Sequence, residues 1–173
     1  MAKIANSVGE VLARFQEFEK NHRYLSDGSA SIPYEFSCYG KAPFVFCAPH
    51  ASMLFARGRF KKRELATGAL AQTLANAIGA CSLKTCGYAL STDPLKTHAL
   101  ELAKEGRMLV DLHGMTSFHG CDICVGRGVA PSENTLELID SLLRAGELLG
   151  LKIAVDKPFA GTSRHAAASD WPV

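Results

Sequence analysis

The sequence predicts an α/β domain, a three-layer α/β/α arrangement around a mostly parallel or mixed sheet. Two observations carry this. Short apolar runs read as strands, 44–47 as a buried one and 108–112 as the strongest in the chain. Segments with helical period alternate with those runs, as they do when crossovers link parallel strands. A chain of 173 residues is expected to form one domain, 1–173, with a core that needs no disulfide or metal staple.

Each element has its own signal. Ile4, Val8, Val11, Leu12, Phe15 and Phe18 recur at helical spacing among Glu10, Arg14, Glu17 and Lys20, so 3–22 reads as an amphipathic helix. Ser26-Asp27-Gly28-Ser29 is a loop. Residues 34–38 alternate like a strand, 40–43 turn, and 44–47 form a buried strand ended by Pro49. Residues 51–63 read as irregular and basic, with Arg57, Arg59, Lys61, Lys62 and Arg63. Glu64 to Ile78 is predicted helical, with Leu70, Leu74 and Ile78 in phase and Gly79 as the stop. A strand is predicted over 81–88, and Asp93-Pro94 opens a helix that runs to Gly106. Further strands are predicted at 108–112, 121–125 and 151–155. Ser132 caps a helix that stops near Gly150, and the chain is read as loop after Asp156.

Composition narrows the function classes. The chain is 47% hydrophobic and 21% charged, which suits a globular protein and not a disordered one. Nineteen Lys and Arg against seventeen Asp and Glu leave a net charge of +2, too little for a nucleic-acid binder driven by charge. The basic run 57–63 carries only Phe60 as a stacking residue, and reads as a solvated loop that attracts anionic substrates. No stretch approaches the ~18 apolar residues of a membrane span, and 1–20 lacks the apolar core of a signal peptide. These features predict a cytoplasmic protein with no membrane partner. Its six cysteines are then expected to be reduced. Cys121-x-x-Cys124 with Cys81-x₄-Cys86 also fits a structural zinc site, although buried free thiols are the simpler reading.

In sheets of this kind, ligands bind at the carboxyl ends of strands. Pro49-His50 follows the strand 44–47, His113-Gly114 follows 108–112, Gly126-Arg127-Gly128 follows 121–125, and Asp156 follows 151–155. Two imidazoles, together with Glu64 at the start of the next helix, are the ligand types of a catalytic zinc site with one position open for water. The plainer alternatives are surface histidines and a charged helix end favoured by the dipole. Asp111 lies two residues before His113 and so on the same side of a strand. There it either orients that imidazole or bonds loop amides.

Four segments, in order, carry a family likeness: Cys47-Ala48-Pro49-His50-Ala51-Ser52, Arg63-Glu64-Leu65-Ala66-Thr67-Gly68-Ala69-Leu70-Ala71, Val110-Asp111-Leu112-His113-Gly114-Met115 and Asp122-Ile123-Cys124-Val125-Gly126. Over about residues 43–161 the chain resembles the N-formylglutamate amidohydrolase family of zinc-carboxypeptidase-like hydrolases. The resemblance implies a phosphorylase/hydrolase-like α/β/α fold. It implies Zn²⁺, or another divalent cation, held by His50, Glu64 and His113, and hydrolysis of an amide in a small N-acyl amino acid or peptide-like substrate. On that reading Arg59, Arg127 and Arg164 are candidate clamps for the substrate carboxylate, and His119 is a candidate substrate contact. Each also reads as an exposed salt-bridging or solvated residue.

The chain departs from the family pattern twice. Thirteen residues, 51 to 63, separate His50 from Glu64, where the wider group often has two. The glutamate that resembles a general base follows the Pro-Phe-x-Gly element in relatives, whereas here no Glu occurs after Glu147. Three expectations follow. Asp156 or Asp170 serves as the base; or the chain is truncated or split, and completed by a second chain or by self-association; or the fold binds an acyl-amino acid or partner protein without turnover.

Overall fold

Four helices and eight strands make up the described fold: α1 (Val8–Asn21), β1 (Tyr34–Cys38), β2 (Phe44–Ala48), β3 (Leu54–Ala56), β4 (Arg59–Lys61), α2 (Thr67–Ile78), β5 (Cys81–Thr85), α3 (Asp93–Lys104), β6 (Met108–Asp111), β7 (Ile123–Val125), α4 (Glu133–Leu149) and β8 (Ile153–Val155). The computed structural model describes residues 7–22, 34–56, 59–87, 92–115, 119–128 and 131–158. The chain forms two compact units, Met1–Gly114 and Met115–Val173.

The first unit is built on a four-stranded sheet in the order β1-β5-β2-β6. β5, β2 and β6 run parallel, and the edge strand β1 is antiparallel to β5. This is the mixed α/β sheet the sequence predicts. Adjacent residues of β1 show how it is layered. Glu35 bonds Gln72 of α2, while Phe36 packs against His98 of α3. Neighbours on a strand point to opposite faces, so α2 and α3 cover opposite sides of the sheet. The core is small-residue on the α2 side, where Ala48, Ala51 and Ala71 pack with Phe46 and Leu112. Val45, Cys47 and Leu83, which alternate with residues facing α2, are fully buried, as is Ala99 of α3.

Several elements differ from expectation in instructive ways. α1 begins at Val8, capped by the Ser7 side chain, and residues 3–6 lie outside the described residues. Its apolar stripe is only partly covered, with Val8 78% and Leu12 57% exposed. Residues 51–63 are not irregular throughout: β3 and β4 pair as an antiparallel hairpin within them. α2 starts at Thr67, not at Glu64, because Ala66 takes a left-handed φ of 66° that a helix cannot continue. Glu64 therefore lies in the turn ahead of the helix, where the Thr67 hydroxyl donates to its carbonyl over 2.9 Å.

The cysteines also depart from expectation. Cys38 and Cys81, partners in the β1–β5 register with Cα atoms 4.1 Å apart, form a disulfide. This overturns the expectation that all six thiols are reduced. It also removes Cys81 from any cysteine-rich zinc site, and Cys47, Cys86, Cys121 and Cys124 keep their thiols.

The second unit pairs β7 with β8 in parallel, with α4 in the crossover between them. The Ser132 cap and the Gly150 stop fall where the sequence places them. Among the described residues, no helix is long and apolar enough to cross a membrane.

Candidate metal centre

Three loops at the sheet's rim supply the site. His50 follows β2 in a turn where the Ala51 amide reaches back to the Ala48 carbonyl over 3.4 Å. His113 follows β6. Leu112 between them donates its amide to the Cys47 carbonyl over 2.7 Å and buries its side chain in the small-residue core, so Asp111 and His113 project together away from that core. Glu64 arrives by the hairpin. Its amide donates to the His50 carbonyl over 2.8 Å, which pinches the base of the β3–β4 excursion. The thirteen-residue separation is thus spanned by a hairpin that returns the chain to its starting point.

One potential ligand atom from each of His50, Glu64 and His113 lies within 4.8 Å of the others. The two imidazole centroids are 5.2 Å apart. His113 is held from both sides: Nδ1 lies 3.2 Å from Glu64 Oε2, and Nε2 lies 3.1 Å from Asp111 Oδ2. Glu64 Oε2 also accepts the Gly114 amide over 2.9 Å, and Lys61 Nζ lies 3.5 Å from Oε1. Gly114 eases that approach, since a Cβ there would stand a tight 3.2 Å from the Glu64 Cβ.

The electrostatics follow from burial and from close charge pairing. Burial, reinforced by Lys61 nearby, lowers the His50 pKa to about 4, so its ring is neutral with a lone pair to offer. Its Nδ1 is buried with no hydrogen-bond partner among the described residues. Burial works against charge on His113, but bonds to the Asp111 and Glu64 carboxylates outweigh it and raise its pKa to about 9. Burial likewise opposes ionisation of Glu64, yet bonds from His113 and Gly114 hold its carboxyl below the usual range. In the absence of a metal, a protonated imidazole sits between two carboxylates. The same arrangement suits a metal on Nδ1, with the Nε2 proton donated to Asp111 to fix the tautomer. Beneath this, burial and the Asp111 charge keep the Cys47 thiol protonated.

The remaining sequence candidates are spread along the chain. Arg127 and Asp156 lie in the second unit and pair with each other: Asp156 Oδ1 accepts the Arg127 amide over 2.9 Å, and Oδ2 accepts Arg127 Nε over 2.6 Å. The backbone bond foremost, then the guanidinium, lowers the Asp156 pKa. His119 lies in the second unit ahead of β7. Arg59 opens β4. Arg164 and Asp170 lie outside the described residues.

Matches were sought among protein-family models, curated proteins and solved structures. The chain matches none of them. The case for a function therefore rests on the site itself. Sequence reasoning missed His22, whose ring reaches the carbonyl of Ala51 beside His50. A histidine closing an amphipathic helix was the signal available.

Proposed function

We propose that the chain is a metal-dependent amidohydrolase that cleaves an amide of a small N-acyl amino acid or peptide-like substrate, with zinc as the preferred ion. One observation carries this reading: two imidazoles and a carboxylate, far apart in the chain, converge on one point with a further carboxylate behind one imidazole. The order and spacing of the motifs that resemble N-formylglutamate amidohydrolases give the reaction class.

His50, Glu64 and His113 would hold the ion, which when bound lowers the pKa of water to ~7 and polarises a carbonyl. The chain's own residues do the rest. Asp111 accepts the Nε2 proton of His113 and so keeps Nδ1 aimed at the centre. The Gly114 amide fixes the Glu64 carboxylate, whose charge offsets that of a cation. Lys61 beside Glu64, with Lys62 and Arg63, gives the mouth a positive potential that suits a carboxylate-bearing substrate.

The test is metal content followed by turnover. Protein purified without chelator should carry near one zinc per chain, and His113→Ala should lose it. A panel of N-acyl amino acids with free carboxylates should be hydrolysed by the zinc- or cobalt-loaded protein and not after chelation. Absence of bound metal at saturating zinc refutes the metal reading. Full metal occupancy without hydrolysis of any N-acyl amino acid refutes the activity alone.

A further inference from the structure

The loop that carries His50 is held by a buried polar network outside the site. Lys84, near the end of β5, has a side chain only 3% exposed. Its ammonium donates to Gln72 Oε1 over 2.6 Å and to His22 Nδ1 over 3.2 Å, and lies 3.6 Å from Glu35 Oε2. The opposite nitrogen of His22, Nε2, lies 3.2 Å from the Ala51 carbonyl. With Lys84 donating to Nδ1, His22 must carry its proton on Nε2 and donate it to Ala51. Burial, then the Lys84 charge, push the His22 pKa down to about 4, so the ring is neutral and this tautomer persists at neutral pH.

The next residue of β5 grips the same turn. Thr85 Oγ1 accepts the Ser52 amide over 3.1 Å and lies 3.5 Å from the Ala48 carbonyl. The 48–52 turn is thus tied to β5 twice, directly through Thr85 and indirectly through His22. The sequence has made room for the second tie. Gly68, in the first turn of α2, lies so close to the ring that a Cβ there would stand 2.8 Å from His22 Cε1 and 2.9 Å from the Ala51 Cβ. His22 itself caps the end of α1, so that helix delivers the ring to the loop.

We infer that His22 is a positioning residue for the metal centre: its imidazole relays the Lys84 hydrogen bond to the Ala51 carbonyl and so fixes the backbone that aims His50. This rests on the metal reading above. Its effect is exerted through the loop, by way of the Ala51 carbonyl.

The experiment titrates the metal-free full-length chain with Zn²⁺ by calorimetry, and with Co²⁺ by visible absorption. It compares wild type with His22→Leu, His22→Gln and Leu95→Ala. A glutamine amide offers an oxygen acceptor and an N–H donor at nearly the spacing of the two ring nitrogens. His22→Leu should weaken metal binding ~10–100-fold, as loss of ligand-orienting partners does, and should alter the Co²⁺ spectrum. His22→Gln should restore both. Leu95→Ala, which removes a buried side chain of α3 away from the loop, should lower thermal stability and leave metal affinity unchanged. If His22→Leu does not fold, His22→Asn carries the comparison, since its side chain is too short to span both bonds. Wild-type affinity in a folded Leu or Asn variant overturns the inference, as does equal weakening by Leu95→Ala. A wild type that binds neither ion overturns the metal reading and the inference with it, a distinct result.

Discussion

Replacing Asp111 isolates the part of the site that would act on the proposed metal only through another side chain. Its Oδ2 lies 3.1 Å from His113 Nε2, with the two side chains 19% and 29% exposed. A hydrogen bond to a charged partner is worth ~1.5–3 kcal/mol, which is ~10–150-fold at 1.36 kcal/mol per decade. The partial exposure places Asp111→Ala toward the lower part of that range, so a loss of ~10–50-fold in metal affinity is expected. Asp111→Asn keeps an oxygen acceptor but loses the charge that roughly doubles such a bond, so its loss should be about half as large in free energy. The assay is competition for Zn²⁺ between metal-free protein and a chromophoric chelator at fixed pH. Thermal unfolding without metal confirms that each variant is folded. The reasoning fails if Asp111→Ala binds zinc like wild type while His113→Ala does not bind, because the imidazole would then hold its tautomer without the carboxylate.

Three further outcomes follow from the fold. His22 has a folded pKa of about 4 against an ordinary 6.5, so the unfolded chain takes up the proton first. Its contribution is complete above 6.5 and lost as pH falls through 4; in urea titrations of metal-free protein His22→Gln should remove ~2–3 kcal/mol of the loss across that window, and the share from His50, whose pKa is lowered likewise, should remain. Leu83→Ala removes a side chain with 0% exposure from β5, and should cost ~2–5 kcal/mol by the same denaturation assay. Unfolding without reductant should leave four of the six cysteines open to alkylation, and reduction should expose all six. With the bridged positions 43 apart in sequence, the chain-entropy account puts the disulfide's contribution at ~4 kcal/mol, measurable as the stability difference between oxidised and reduced protein.

The parts of the site readable in the sequence were those fixed by local geometry. Asp111 and His113 sit two apart at a strand end, so their shared orientation follows from the pleat, and the structure puts a hydrogen bond between them. Glu64 was recognisable as an acid of the right type, but its place was not. The hairpin that returns it to His50 has strands of three residues each, too short for periodicity to show, and the left-handed Ala66 that delays α2 has no signature in a residue that favours helices. His22, Lys84 and Gln72 come together only through tertiary packing, and nothing in their spacing announces it. The Cys38–Cys81 bond was hidden by an argument from compartment. The usable clue was positional: one cysteine ends β1 and the other begins β5, which an antiparallel pairing sets opposite each other. Arg127 and Asp156 were picked out separately for two different tasks, and in the structure each is the other's partner.

The amide of Glu64 bonded to the carbonyl of His50 has a consequence for how this segment can change. Because that bond fastens the neck of the hairpin, residues beyond it can be added or removed while the two donors stay in place. The entropy of closing such a loop grows only with the logarithm of its length, about 0.6 kcal/mol for each doubling. The hairpin is therefore free to drift in size and composition, independently of the His50, Glu64 and His113 cluster.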